Sequence, residues 1–488
     1  MAKNEQLQEI SQLKDIVSHA KEYGFIYPSS EIYDGLQAVY DYGVYGVELK
    51  NNLKRLWWET MTRLNDNIVG IDAAIFMHPT TWKASGHVDS FNDPMIDNKD
   101  SKKRYRADVL LEEKAAAFEL AGDEGRAKSL LAEMGRLMEA EDLTGIRDLI
   151  NRENIICPIS GTCNWTEVRQ FNLMFESQVG SVAEEATSIY LRPETAQGIF
   201  VNFLNVQKSA RMKVPFGIAQ IGKAFRNEIV ARQFIFRMRE FEQMEMQFFV
   251  RPGSEMEWYH HWADRRMAWH RAIGIPETKL RRHDHEKLAH YANAALDIEY
   301  DFPFGYKEVE GIHSRTDFDL KQHQEFSGKK LQYFDPEINQ SYIPFVVETS
   351  IGADRLFLMV LSNAYKEIDA GDKTRTFLKF HPAIAPVKAA ILPLTKKDGL
   401  PEKAREIFET LKMDFKVIYE DAASIGKRYT RQDLIGTPFC IAVDHQTLED
   451  DTVTIRHRDS TEQERVPIGE LPARLAHETS FKRIFEKL

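Results

Sequence analysis

Cysteine is scarce in this 488-residue chain, occurring only as Cys157, Cys163 and Cys440. An odd, sparse set builds no disulfide framework and fits a reducing compartment. Long apolar runs are missing as well: nothing reaches the roughly 18 apolar residues that a membrane-spanning helix requires. The opening residues, MAKNEQLQEISQLKD, carry acids and have no apolar core, unlike a signal peptide. Cytoplasmic residence with no membrane partner is the resulting expectation. Neither G-x-x-x-x-G-K-[ST] nor G-x-G-x-x-G occurs, which argues against P-loop and dinucleotide-binding enzymes. Nor is there an excess of positive charge. Lys and Arg total 64 against 75 Asp and Glu, a net −11, so the whole-surface field does not favour indiscriminate coating of nucleic acid. Internal repeats and low-complexity tracts are absent too.

What the chain does contain is ordinary globular material, 43% hydrophobic and 28% charged, at a length that suggests about two to four domains. The first hundred residues read as helix, loop, helix, strand. Val47–Arg63 sets Leu49, Leu53, Leu56 and Trp57 at helical spacing, and the apolar strand GIDAAIFM stops at Pro79. From Ala107 the composition turns to Ala, Leu, Glu and Lys, as in a helical insertion outside the main sheet. Aromatic and β-branched runs between Asn164 and Arg355 (FNLMF, GIFVNF, FGIAQIG) are bounded by Pro and Gly, as in an antiparallel sheet. Beyond KFHPAIAPVKAAILP, strands and helices alternate in the α/β manner. The expected division is 1–106 for the first part of the main domain, 107–152 for the insertion, 153–382 for the core of the main domain and 383–488 for a separate domain.

One stretch concentrates chemistry: AFRNEIVARQFIFRMREFEQMEMQFFV, residues 224–250. Read as a strand from Phe236, it puts Arg237, Arg239, Phe241, Gln243 and Glu245 on one face, with Met238, Glu240, Glu242, Met244 and Met246 on the other. Guanidinium forks suit phosphates, a flat ring suits a purine, and a carboxylate suits an ammonium group. The bland alternative is a strand whose Arg–Glu pairs neutralise one another. Burying so many ions among Phe and Met without partners would be costly, which favours a ligand site.

The same residues carry a likeness. FRNE (Phe225–Glu228), a loop and RMREF (Arg237–Phe241) resemble motif 2 of class II aminoacyl-tRNA synthetases. GADR (Gly352–Arg355) resembles their motif 3, and Val47–Arg63 with the strand ending at Pro79 resembles the dimerising motif 1. DYGVYGVELKNN, SGHVDSFNDP, KRYRAD, FNLMF, LRPETAQGIFVNF and GIHSRTDFDL are similar to glycyl-tRNA synthetases of the homodimeric class II type, from about residue 20 to the C-terminus. The resemblance implies an α+β fold: an antiparallel class II sheet of six or seven strands flanked by helices, followed by an α/β anticodon-binding domain. It implies ATP-dependent ligation of glycine to tRNA-Gly through a glycyl-adenylate, in a cytoplasmic homodimer.

It also implies roles. Arg226 would hold the α-phosphate of ATP, Glu228 the adenine amino group, and Arg237 the outer phosphates; Phe241 would stack under adenine, with Arg355 over its other face or at the γ-phosphate. Arg226, Glu228, Arg237 and Arg355 are the expected catalytic set. Further ATP contacts are implied at Asn227, Phe236, Arg239, Glu308, Val309, Gly352 and Asp354, with Glu348 as the contact to Mg²⁺. Glycine would meet Arg106, Glu194, Phe241, Gln243, Glu245, Glu348 and Ser350. The alternation of the strand selects Glu245 over Glu242, because Glu245 shares the Phe241 face. In the C-terminal domain Lys427, Arg428 and Arg431 of GKRYTRQD would meet tRNA, although such basic runs are usually solvated faces. The first basic run, KDSKKRYR, carries the same ambiguity.

Two signals are weaker. His283, His285 and His290 lie close together but lack the cysteine or carboxylate of a regular zinc site. Relatives with a structural zinc have C-x-x-C pairs where this chain has Asn98, Ser101 and Ser160 beside Cys157, so no structural zinc is expected. Thr349 stands where relatives commonly have Pro. A synthetase-like protein without catalysis is the closest rival reading, and the joint presence of Arg226, Glu228, Phe241 and Arg355 speaks against it. A class II enzyme for proline, threonine or histidine is a further rival, unsupported by RPETAQG and FNLMF.

Overall fold

The computed structural model describes residues 2–180, 187–229, 233–285, 288–289, 291–369 and 374–488. Helix α1 spans Ala2–Glu22 and α2 spans Gly46–Thr62. In α2 the expected stripe of Leu49, Leu53, Leu56 and Trp57 is buried against the main core. Each such side chain contributes about 1.5–3 kcal/mol relative to exposure. The opposite side of the helix stays polar.

The central sheet has seven strands: β1 Ile68–Gly70, β2 Phe216–Phe225, β3 Glu240–Val250, β4 Leu280–Asp284, β5 Ala294–Phe302, β6 Gly305–Thr316 and β7 Phe345–Gly352. Their order is β4-β5-β6-β7-β3-β2-β1. Every neighbouring pair is antiparallel except β1 with β2, which is parallel. Strand alternation decides what lies on each side. Met244, Met246 and Phe248 of β3 enter the core shared with α2, whereas Phe249 enters a second cluster with Phe200, Phe203 and Phe216. Helix α3, Ala353–Ala364, follows β7 directly and is buried along nearly its whole length.

Two expected strands differ. Of GIDAAIFM only Gly70 belongs to a strand; beyond it Ile71 N–H donates to Ala219 O at 2.9 Å and Phe76 bridges to Leu191. GIFVNF is helical, lying in Ala196–Val201 and Phe203–Ser209. A six-residue apolar run has no period that separates a buried strand from a buried helix.

The insertion forms helices Ala107–Leu120, Glu124–Glu139 and Leu143–Arg152. Their core also contains Ile96, Tyr105, Trp165 and Val168. The packed unit thus takes in strands Asn92–Asn98, Lys103–Arg106 and Arg169–Asn172, beyond the 107–152 read from helical composition. Within it Ser160 Oγ donates to Asn98 Oδ1 at 2.9 Å, and Cys157 Sγ lies 3.4 Å from Ser101 Oγ.

The C-terminal domain is built on β8 Ala389–Pro393, β9 Val417–Tyr419, β10 Phe439–Val443, β11 Thr452–His457 and β12 Gln463–Pro467, in the order β9-β8-β10-β11-β12. β8 pairs in parallel with β9 and β10, as the strand–helix alternation requires, and β11 and β12 close an antiparallel edge. Helix α4, Ile425–Ile435, covers one face. The last residues return to the main core, where Ile484 is fully buried and Phe481 and Phe485 pack beside it. No helix among the described residues is long and apolar enough to cross a membrane.

Candidate active site

The odd-numbered side chains of β3 supply the floor of a cleft of about 470 Å³. Phe241, Gln243 and Glu245 face it, while Glu242 points to the other side and meets Lys50 and Lys54. The alternation expected from the sequence therefore holds within the strand. It does not hold before residue 240, because Phe234–Phe236 forms a 3-10 turn. Met238, assigned to the far face, lines the cleft. Arg239, assigned to the near face, gives its guanidinium to the backbone carbonyls of Glu228 and Gln37, at 2.9 and 3.2 Å.

At one end three carboxylates converge. Glu245 lies opposite Ser350 of β7, whose hydroxyl donates to it at 2.8 Å, and Thr195 Oγ1 donates to its second oxygen. Glu348 lies opposite Gln247, which donates at 2.6 Å; Arg315 donates at 3.2 Å, and His313 Nδ1 sits 2.8 Å away. Glu194 receives Gln197 Nε2 at 2.9 Å and has His87 Nε2 at 3.3 Å. Burial pushes the Glu245 carboxyl up to about 7, and the Glu348 and Glu194 charges add to that rise. Burial acts the same way on the other two, but nearby basic groups win. His87 and Arg315 hold Glu194 below the ordinary range, and Arg315 and His313 hold Glu348 there as well. The pocket is small, anionic and lined by oriented acceptors, which suits a small ammonium group.

The other end is cationic and aromatic. The Arg226 guanidinium lies 5.4 Å from the ring centres of both Phe91 and Phe241, with Nε donating to Pro193 O at 3.1 Å. Arg355 rests on Phe236 at 4.3 Å and pairs with Glu308 at 2.9 Å. That Arg355 charge holds the Glu308 carboxyl below its usual range. Arg237, Glu228, Gly352 and Asp354 complete this wall. Arg106 also reaches the cleft, paired with Asp93 at 3.1 Å and with Asp108. Rings flanked by guanidinium groups offer stacking for a base and bidentate donors for phosphates.

Most of the expected residues are thereby brought together, with exceptions. Asn227 does not line the cleft; its backbone N–H bonds Leu173 O at 2.7 Å. Val309 is buried in the core. Glu348 is 4% exposed and already receives Gln247, His313 and Arg315, an environment built for a buried anion and unlike that of a Mg²⁺ ligand. Phe241 and Arg355 both line the cleft, and the Phe241 ring also faces Arg226. In α4 the outcome divides. Lys427 is exposed and Arg431 pairs with Glu420, but Arg428 is 2% exposed and donates to the carbonyls of Pro393, Glu420 and Leu394. Arg428 is structural and faces no solvent in which RNA could meet it.

His283 and His285 stand 6.2 Å apart, His285 pairs with Asp297, and His290 lies outside the described residues, as do Val230, Ala231 and Arg232 of the motif 2 loop. No cluster of three or more His, Cys, Asp or Glu suited to a metal occurs among the described residues. The sequence reading missed His87, Phe91, Asp93, His313 and Arg315, all of which line the cleft or ligate its carboxylates. Their stretches, SGHVDSFNDP and GIHSRTDFDL, were singled out without assigning these side chains.

Comparison with known proteins points the same way. The family model for the tRNA synthetase class II core domain (G, H, P, S and T) matches residues 175–364. The anticodon binding domain matches 388–478, and glycyl-tRNA synthetase insertion domain 1 matches 93–129 and 119–173. The glycine–tRNA ligase of Chlorobaculum tepidum is 55% identical over 466 residues, covering 95% of this chain and 99% of that protein. Those of Macrococcus caseolyticus and Staphylococcus haemolyticus are each 52% identical, covering 96% and 97% of this chain and 99% and 100% of theirs.

Proposed function

The chain belongs to the class II glycine–tRNA ligases, and from that membership we propose that its cleft joins glycine to ATP as glycyl-adenylate and then passes the glycyl group to tRNA-Gly. The observation that carries this reading is the convergence of Glu194, Glu245 and Ser350 beside Arg226, Phe241 and Arg355 in one cleft. In the first step a glycine carboxylate oxygen attacks the α-phosphorus, and pyrophosphate leaves with the electron pair of the broken P–O bond. The nucleophile is already an anion, so no general base is needed. The site supplies alignment and positive charge for the transition state, through Arg226 at the α-phosphate and Arg237 and Arg355 toward the outer phosphates. Mg²⁺ would enter with ATP as part of the substrate, and Glu308, half-exposed beside Arg355, is a carboxylate that would meet it. In the second step a ribose hydroxyl of the tRNA's terminal adenosine attacks the carbonyl carbon and AMP leaves.

Selectivity follows from size. Every other amino acid is larger, and a pocket closed by three carboxylates and their donors excludes a side chain by overlap. In the C-terminal domain Lys427 and Arg431 are the cations left to approach tRNA backbone. A homodimer is supported by exposed apolar side chains near α2: Ile32, Tyr33, Leu36 and Val44. Its place of work is the cytoplasm, where tRNA is charged.

ATP–pyrophosphate exchange with each of the twenty amino acids, without tRNA, tests the reading. Exchange with glycine alone is expected. Silence from folded protein supplied with Mg²⁺ would return the non-catalytic rival.

A further inference from the structure

Against the cleft wall lies a buried polar cluster centred on Lys50, a residue to which nothing above assigns a role. Lys50 of α2 is 5% exposed, yet its ammonium sits 2.9 Å from Glu242 and 2.7 Å from Asp354. Asp354 is itself 3% exposed and receives two further donors, the hydroxyl of Tyr42 and the backbone N–H of Glu242, the latter at 2.8 Å. The Tyr42 ring faces the same ammonium at 4.1 Å. Among the described residues Lys54 reaches only Glu242, at 3.0 Å, and is partly solvated. One cation thus ties together three separate stretches: α2, the start of β3, and the first turn of α3.

Those stretches present the nucleotide side of the cleft. Glu242 is the immediate neighbour of Phe241, and Asp354 is the immediate neighbour of Arg355. We propose that Lys50 is a positioning residue for ATP: by clamping Glu242 to Asp354 it fixes the separation of Phe241 from Arg355. The glycine end has its own supports, since Glu245 is held by Thr195 and Ser350, and Glu348 by Gln247, His313 and Arg315. Burial works against the Lys50 charge, but Asp354 and Glu242 more than restore it, so the clamp stays cationic. Removing the ammonium leaves Asp354 and Glu242 buried with only Lys54 to offset them, and the two elements relax apart.

This rests on the ligase reading, and the experiment separates the two. Exchange kinetics are measured for the unsubstituted protein and for Lys50→Met, which keeps the apolar stem. The KM for ATP should rise about tenfold while that for glycine stays within about twofold. Lys50→Arg, which can still bridge both carboxylates, should recover most of the loss. Lys54→Met should leave both constants unchanged. If Lys50→Met does not fold, Tyr42→Phe deletes one donor to Asp354 and should raise the ATP constant about threefold with the same split. An unchanged ATP constant, or equal rises for ATP and glycine, overturns the proposal. Silence of the unsubstituted protein would sink the ligase reading; calorimetric ATP affinity, expected to be about tenfold weaker in Lys50→Met, would then still decide the role of Lys50.

Discussion

Glu194, Glu245 and Glu348 share one buried space, and the basic groups there are divided unevenly. Arg315 and His313 serve Glu348 and His87 serves Glu194, whereas Glu245 has hydroxyl and amide donors. This is why Glu245 alone is pushed up, to about 7, by burial and by its two anionic neighbours. An unfolded glutamate titrates near about 4.3, so protonated Glu245 stabilises the ligand-free protein fully below that pH. The contribution fades as pH rises through about 7. Glycine reverses the preference, because its ammonium needs the carboxylate, and binding expels the proton. The KM for glycine should therefore fall as pH rises from about 6 to about 8, by up to tenfold per unit below the pKa. Calorimetry in buffers of different ionisation heat should register release of about one proton near pH 6.5, and none in Glu245→Gln. A glycine constant flat across that window would refute the coupling. Arg226 makes a different case. Among the described residues its side chain bonds only Pro193 O and stacks on two cleft rings, so Arg226→Ala should fold normally yet lose about 10²–10³-fold in exchange. Near-normal exchange would remove it from the mechanism.

At the scale of elements, the sequence was most legible where period and chemistry coincide. The α2 stripe and the Phe241, Gln243, Glu245 face follow from 3.6- and 2-residue repeats, and both are present in the structure. It was least legible where the chain leaves those repeats. The 3-10 turn at Phe234–Phe236 breaks the alternation, which is why Arg239 serves two carbonyls while Met238 lines the cleft beside Arg237. His87 and His313 were hidden for another reason: a lone histidine signals nothing until the fold brings a carboxylate to it. Helix α4 shows a signal that was available and went unread. Arg428, Gln432 and Ile435 recur at helical spacing and are its buried face, while Lys427 lies about 100° away around the axis. The two neighbours should therefore respond differently. Arg428→Met strands three backbone carbonyls and should cost about 2–4 kcal/mol by denaturant titration. Lys427→Ala should leave stability within about 0.5 kcal/mol and raise the KM for tRNA severalfold, without affecting exchange. Matching stability losses in both variants would contradict this division of labour.

For the whole molecule, α2 is the member on which separate parts meet. On one side it carries the Lys50 clamp; on another, Asn52 donates to the carbonyls of Ile384 and Ala385, and Glu48 pairs with Lys416 of the C-terminal domain at 3.0 Å. The returning tail adds Phe481, which lies 5.8 Å below the Arg55 guanidinium. A helix fixed on so many sides is a sound platform for a subunit interface, and the chain just before it is unusually apolar on its surface. Ile32 is 88% exposed, Tyr33 79% and Val44 65%. Leaving such side chains in water forgoes about 1.5–3 kcal/mol each, which burial against a second copy would recover. The same loop supplies the carbonyls of Gln37 and Ala38 that hold Arg239, so ordering it also steadies the strand entering the ATP wall. Charging the patch should separate the subunits without unfolding them. The unsubstituted protein is expected to sediment as a dimer and Ile32→Glu combined with Val44→Glu as a monomer, with the same circular dichroism spectrum. The variant's exchange activity should fall and recover in part at high protein concentration, because association is a mass-action equilibrium. A double variant that remains dimeric would place the interface elsewhere on the molecule.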